Sequence, residues 1–204
     1  MGRTSRWLAR AACAAALALT ASAQGLLHYL QHPSPNSDFE PSVARIGDLD
    51  GDGVTDFAVV RRIHTTQSQE VQVRSGVDAS PLLVIPPFQP NWFSSNRPLY
   101  LAGVGDVDGD GTPDLAIGDV GAQYEGTTWG AVSLHSGSDG EVIHVWWGAQ
   151  GNDGFGTALA GAGDVDADGT PDVIVGARQQ GPSGSAPGYA KVYSGATGLC
   201  LRSW

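Results

Sequence analysis

Three short stretches are apolar at nearly every position: Phe57-Ala58-Val59-Val60, Leu115-Ala116-Ile117-Gly118 and Val173-Ile174-Val175-Gly176. Successive side chains of a strand point to opposite faces, so such a stretch predicts a strand covered on both sides. Alternating runs follow each of them, Glu70 to Arg74, Ala131 to His135 and Ala190 to Tyr193, and predict further strands. Gly, Ser and Asp punctuate all of these segments, and 29 glycines suit a chain built from tight turns. Beyond the N-terminal leader no segment sustains a helical period. The expected fold is therefore all-β.

The pattern repeats. Gly130, Ser136, Gly137, Gly140 and Trp146 recur 58 residues later as Gly188, Ser194, Gly195, Gly198 and Trp204. Ser75-Gly76 stands 61 residues before Ser136-Gly137, so the first copy differs by an indel. Several short strands per unit of this length predict a propeller-like array, in which four-stranded blades cover one another's faces. Closed rings usually need about 4 to 8 blades, so three repeats predict an incomplete ring, a fragment, or a subunit that completes itself by association. The recurrence of Trp146 as Trp204 favours packing between blades, although Trp92, Trp129, Trp146 and Trp147 also raise the possibility of stacking on carbohydrate.

Directly before each doubly apolar strand lies an acidic loop: GDLDGDGVTD from Gly47, GDVDGDGTPD from Gly105 and GDVDADGTPD from Gly163. Each reads DxDxDGxxD. The carboxylates are Asp48, Asp50, Asp52 and Asp56, then Asp106, Asp108, Asp110 and Asp114, then Asp164, Asp166, Asp168 and Asp172. Main-chain carbonyls of Val54, Thr112 and Thr170 supply a further oxygen at position 7. Gly53, Gly111 and Gly169 allow the left-handed turn that brings positions 5 and 7 to one ion. Hard oxygen donors in this number suit Ca²⁺, which takes 6 to 8 oxygens at about 2.3 to 2.6 Å. Four exposed aspartates on a turn are common once, but three complete sets of mutually repelling carboxylates call for a cation. An EF-hand shares DxDxDG but needs a Glu at position 12 and flanking helices, whereas these loops have Val59, Ile117 and Val175 there and strands after them. Three calcium sites are expected.

Arg3, Arg6 and Arg10 precede an apolar run from Ala11 to Ala23 that ends in Ala21-Ser22-Ala23. This predicts a secretory signal peptide over 1–23, cut before Gln24, and an extracellular mature segment over 24–204. The run is too short to span a bilayer, and none later approaches the needed length. Of the net charge of −10, most of the acidity sits in the loops, and the 11 Lys and Arg form no basic stripe, which excludes nucleic acid as a partner. Cys13 leaves with the leader, so Cys200 stands alone; its place 58 residues after Val142 predicts a buried, inert strand residue.

Catalytic patterns are absent. His28, His32, His64, His135 and His144 are scattered, and no nucleophile elbow or phosphate-binding glycine loop is present. The chain is not expected to be an enzyme.

Phe155-Gly156, Gly161-Ala162-Gly163, the loop Asp164 to Asp172 and Gly176-Ala177-Arg178 together resemble an FG-GAP repeat, the repeat of integrin α-subunit propellers and of many secreted bacterial proteins. The second copy departs with Arg97-Pro98 and Gly118-Asp119, the first with Phe39-Glu40 and Val60-Arg61. The resemblance implies a seven-bladed ring when complete, and an adhesion or binding module for an extracellular protein or carbohydrate. An accessory propeller segment of a secreted hydrolase is the alternative, and it requires a catalytic domain beyond these repeats.

Overall fold

The doubly apolar stretches and the alternating runs that follow them, from Phe57 to Tyr193, all lie in strands. The computed structural model describes residues 37–87, 97–178 and 187–204, with side chains from Ser42 onward in the first segment. The leader over 1–23, His28, His32 and Trp92 lie outside the described residues. The first sheet contains β1 (Ser37–Gly47), β2 (Asp56–Ile63), β3 (Ser68–Arg74) and β4 (Pro81–Ile85) in that order. The second contains β5 (Leu99–Gly105), β6 (Asp114–Asp119), β9 (Ala131–His135) and β10 (Val142–Trp147), with a small hairpin of β7 (Gln123–Tyr124) and β8 (Thr127–Thr128) inserted after β6. The third contains β11 (Ala158–Gly163), β12 (Asp172–Ala177), β13 (Tyr189–Tyr193) and β14 (Cys200–Ser203). All pairings are antiparallel, and no helix occurs among the described residues.

Alternation explains how the sheets stack. In β6, Leu115 and Ile117 enter a core shared with Ala58, Val60, Val71 and Val73 of the first sheet. Ala116, between them, enters a second core with Val173 and Val175 of the third. One strand thus contributes to both cores, as its uninterrupted apolar sequence predicts. The innermost strands approach closely: a Cβ on Gly103 of β5 would stand 2.5 Å from the Arg45 carbonyl oxygen of β1, and one on Gly161 of β11 would stand 3.2 Å from Val104 Cα. These are propeller-type blades, and the three do not close a ring.

Aromatics seal the second interface. Trp146 is buried, stacks on Tyr193 with ring centroids 4.9 Å apart, and donates from Nε1 to the Gly198 carbonyl at 2.8 Å. His144 Nε2 lies 2.7 Å from the Gly195 carbonyl oxygen. Trp146 therefore packs between blades. Trp129 and Trp147 instead line a 220 Å³ cavity with Tyr124 and Gly148, at the strand ends opposite the acidic loops.

The expectation for Cys200 is corrected. It lies in β14 but is exposed, because β14 is the outer strand of the third sheet and no described sheet follows to cover it. Val142, its counterpart in β10, is half-buried.

Candidate metal centre

Each acidic loop joins the first strand of a sheet to the second. In all three, a register shift interrupts the pairing just before the loop, between Arg45 and Gly47, Gly103 and Gly105, and Gly161 and Gly163. The loop then turns on two left-handed positions. Gly53, Gly111 and Gly169 at position 6 have φ of 87, 90 and 94°, as the sequence predicts. Position 4 is also left-handed, with Gly51 and Gly109 at 77° and Ala167 at 63°.

These turns converge the carboxylates. Asp48, Asp50 and Asp56 place oxygens within 4.8 Å of one another, as do Asp106, Asp108 and Asp114, and Asp164, Asp166 and Asp172. Position 5 stands apart from these groups. Oδ1 of Asp52, Asp110 and Asp168 accepts the N–H of Val54, Thr112 and Thr170 at 2.7, 2.7 and 2.8 Å, which ties that carboxylate to the position 7 backbone. Position 1 spans the turn: Asp106 accepts from Gly109 N–H on Oδ1 and from Gly111 N–H on Oδ2, at 2.8 and 3.0 Å. All of these donors are hard oxygens, the turn presents them together, and the set fits a divalent cation of the calcium type.

Position 9 has a different character. Asp56, Asp114 and Asp172 are fully buried, and both of their oxygens accept backbone N–H groups. Oδ2 takes the N–H of the second loop residue, Leu49, Val107 or Val165, at 2.6, 2.6 and 2.7 Å. Oδ1 takes the N–H of Gly76, Gly137 or Gly195 at 2.8, 2.8 and 3.1 Å. That is the structural reason for the recurring Ser-Gly pair: its glycine N–H closes the loop from the third strand. Burial pushes the Asp114 carboxyl up to about 6, against the Val107 and Gly137 N–H groups and with the nearby Asp108 charge adding to the rise. The Ser138 hydroxyl beside Asp110 holds that carboxyl below its ordinary value.

The loops also touch the next sheet. Leu49 Cδ1 lies 2.9 Å from where a Cβ on Gly137 would stand, and Val107 Cγ1 is equally close to the same point on Gly195. Pro113 packs against Gly47 and Pro171 against Gly105, so consecutive loops abut. Sequence spacing did not reveal these contacts. A recurrent apolar residue at position 2 was the available signal.

Residues 155–196 match the FG-GAP repeat family. Across 141 residues the chain is 30% identical to integrin alpha-4 of Xenopus laevis, covering 64% of this chain and 13% of that protein. Across 151 residues it is 31% identical to integrin alpha-5 of Xenopus laevis, covering 64% of this chain and 14% of that protein. The chain thus spans only about an eighth to a seventh of the length of these relatives. With three similar blades, three aspartate loops and this match over its third copy, the chain contains an FG-GAP repeat and is similar to integrin α propeller repeats.

Proposed function

We propose that the protein is a secreted, calcium-binding FG-GAP module that binds an extracellular protein or carbohydrate and performs no catalysis. Residues 1–23 serve as the signal peptide and 24–204 as the repeat segment. In each loop, Ca²⁺ is held by the aspartates at positions 1, 3, 5 and 9 with the carbonyl of Val54, Thr112 or Thr170. The observation that carries this reading is the threefold recurrence of three carboxylates within 4.8 Å, each set anchored by one buried aspartate. Extracellular calcium modules work with dissociation constants of about 10⁻⁴ to 10⁻³ M, so tight binding is not required. The metal stiffens one end of the blades and leaves the connecting loops at the other end for the partner. The similarity to integrin α chains supports an extracellular binding role.

The test is a calorimetric titration of chelator-treated protein with CaCl₂. Three equivalents are expected for the native chain and two for Asp108→Ala. At free calcium about 100-fold above the dissociation constant, each site adds about 2.7 kcal/mol of stability, so the native chain melts higher in calcium than in EDTA. A melt unchanged by EDTA together with no binding heat rejects the proposal.

A further inference from the structure

The hairpin of β7 and β8 and the end of β10 enclose an aromatic cleft that the repeat does not require. Tyr124, Trp129, Trp147 and Gly148 are among its walls, around 220 Å³. All four belong to the continuously described stretch 97–178. Residues that pack sheet on sheet return with the repeat, as Trp146 does at Trp204. The positions of Tyr124 and Trp129 return instead as Pro182 and Pro187.

Backbone bonds brace the cleft. Trp129 and Gly130 donate N–H groups to the Ala122 carbonyl at 3.0 and 3.1 Å, which closes the base of the hairpin. Asn152 N–H donates to the Thr128 carbonyl at 2.6 Å, and a Cβ on Gly151 would stand 2.8 Å from Thr127 Cγ2, so the loop after β10 grips the hairpin. The rings of Tyr124 and Trp147 form a corner, with centroids 5.6 Å apart and planes inclined at 58°. Tyr124 is 53% exposed and both tryptophans are half-buried, so the corner opens to solvent. Behind the Gly148 wall lies a carboxylate: a Cβ there would stand 2.7 Å from Asp153 Oδ1 and 3.0 Å from Oδ2. Asp153 is buried, and it accepts the N–H of Ala149 and Phe155, each at 3.0 Å, and the Tyr189 hydroxyl at 2.5 Å.

Two properties of this cleft select its ligand. The described walls are almost wholly apolar, so a sugar would bury hydroxyls without partners there. The segments that build it, residues 121–130 and 147–153, carry Glu125 and Asp153 and no Lys, Arg or His. Arg97 reaches the base of the hairpin beside Gly121, where Asp119 Oδ1 also lies. Aromatic faces attract a cation within about 6 Å of the ring centroid, Trp most strongly. A quaternary ammonium group has no N–H to satisfy, presents only methyl groups, and carries the charge that rings and carboxylates favour. We propose that the cleft binds a trimethylammonium group, carried by a choline-type solute or a lipid headgroup. Tyr124, Trp129 and Trp147 form its cage, and Asp153 and Glu125 are its counter-charges. This site goes beyond the calcium reading and uses none of the acidic loops.

The experiment titrates the full chain with choline chloride by calorimetry, in CaCl₂ at constant ionic strength. Saturable binding is expected, about tenfold tighter than that of 3,3-dimethylbutan-1-ol, the uncharged isostere of choline. Tyr124→Ala, at an exposed position, leaves the melting temperature unchanged and weakens choline binding about threefold or more. Glu125→Gln weakens choline about twofold and leaves the isostere unaffected. Pelleting with phosphatidylcholine vesicles, released by excess choline, assigns the group to a lipid; choline binding without pelleting assigns it to a solute. Absence of choline binding overturns the proposal. So does equal binding of the isostere, a preference for methyl glucoside, or choline binding that Tyr124→Ala leaves unchanged. A chain that takes up calcium as proposed but fails these tests loses this site alone.

Discussion

Gly137→Ala adds one methyl group at the point where the Ser-Gly turn of the second sheet meets its acidic loop. The new Cβ would stand 2.1 Å from the Pro113 carbonyl oxygen, 3.0 Å from its carbon and 2.9 Å from Leu49 Cδ1. The nearest obstacle is backbone, so the turn must move by about an ångström, and overpacking of this kind costs about 1–3 kcal/mol. Movement also stretches the 2.8 Å bond from Gly137 N–H to Asp114 Oδ1, and a hydrogen bond to a charged group contributes about 1.5–3 kcal/mol. Together these give a loss of about 3–5 kcal/mol, a large share of the 5–15 kcal/mol typical of a domain. Gly51→Ala separates this steric effect from backbone conformation. Gly51 has φ of 77° with nothing within 4 Å of a Cβ, so alanine there carries only the left-handed cost of about 1–2 kcal/mol. Ala167 already occupies the same position of the third loop at φ of 63°. At about 2–4 °C per kcal/mol, thermal melts followed by circular dichroism in EDTA should fall by roughly 10 °C for Gly137→Ala and by a few degrees for Gly51→Ala. If Gly137→Ala melts no lower than Gly51→Ala, the contact between turn and loop does not constrain the fold as described.

Two further outcomes follow from buried polar groups. Gln69 is fully buried, and among the described residues neither its Oε1 nor its Nε2 has a hydrogen-bond partner, so Gln69→Leu should stabilise the chain by about 1–3 kcal/mol; a urea midpoint that does not rise refutes this. His135 is held between Ser133 Oγ and the Gly140 carbonyl, both 2.9 Å away; the carbonyl can only accept, so the neutral ring carries its proton on Nδ1. Burial lowers its pKa below 6.5, so the unfolded chain binds more protons as pH falls, and this contribution is lost below about pH 6.5. Asp114, raised from 3.8 to about 6, acts in the opposite sense over that interval, so the diagnostic quantity is the difference between native protein and His135→Gln in chelator. The native protein should lose more stability than the variant between pH 7 and 5, and parallel pH profiles would refute the assignment.

The strands were legible because a sequence apolar on both faces leaves few alternatives; β6 is indeed buried at every position, whereas β12 leaves Ile174 and Gly176 half-buried. The grouping of positions 1, 3 and 9 was legible from ligand chemistry at fixed spacing. The role of the Ser-Gly pair was not, because its bond to the loop joins residues 20 apart in the first copy and 23 in the others. That variation is visible in sequence only as an indel. The left-handed requirement at position 4 was hidden by Ala167, which breaks the glycine pattern without changing the backbone. Cys200 shows a different boundary: its period assigned it correctly to a strand, but burial of an outer strand depends on the sheet beside it.

The contacts that join the first and second loops to the next sheet make three chemically alike loops mechanically unequal. Leu49 and Val107 brace the first and second loops against the Ser-Gly turns that follow them. Val165 has no such turn among the described residues, and Asp164 is exposed where Asp48 and Asp106 are half-buried. For the proposed calcium sites, ligand identity is therefore a poor guide to the order of occupancy. Neighbours set how far each acidic loop is shaped in advance, so adding or removing one blade would retune a loop whose own residues never change.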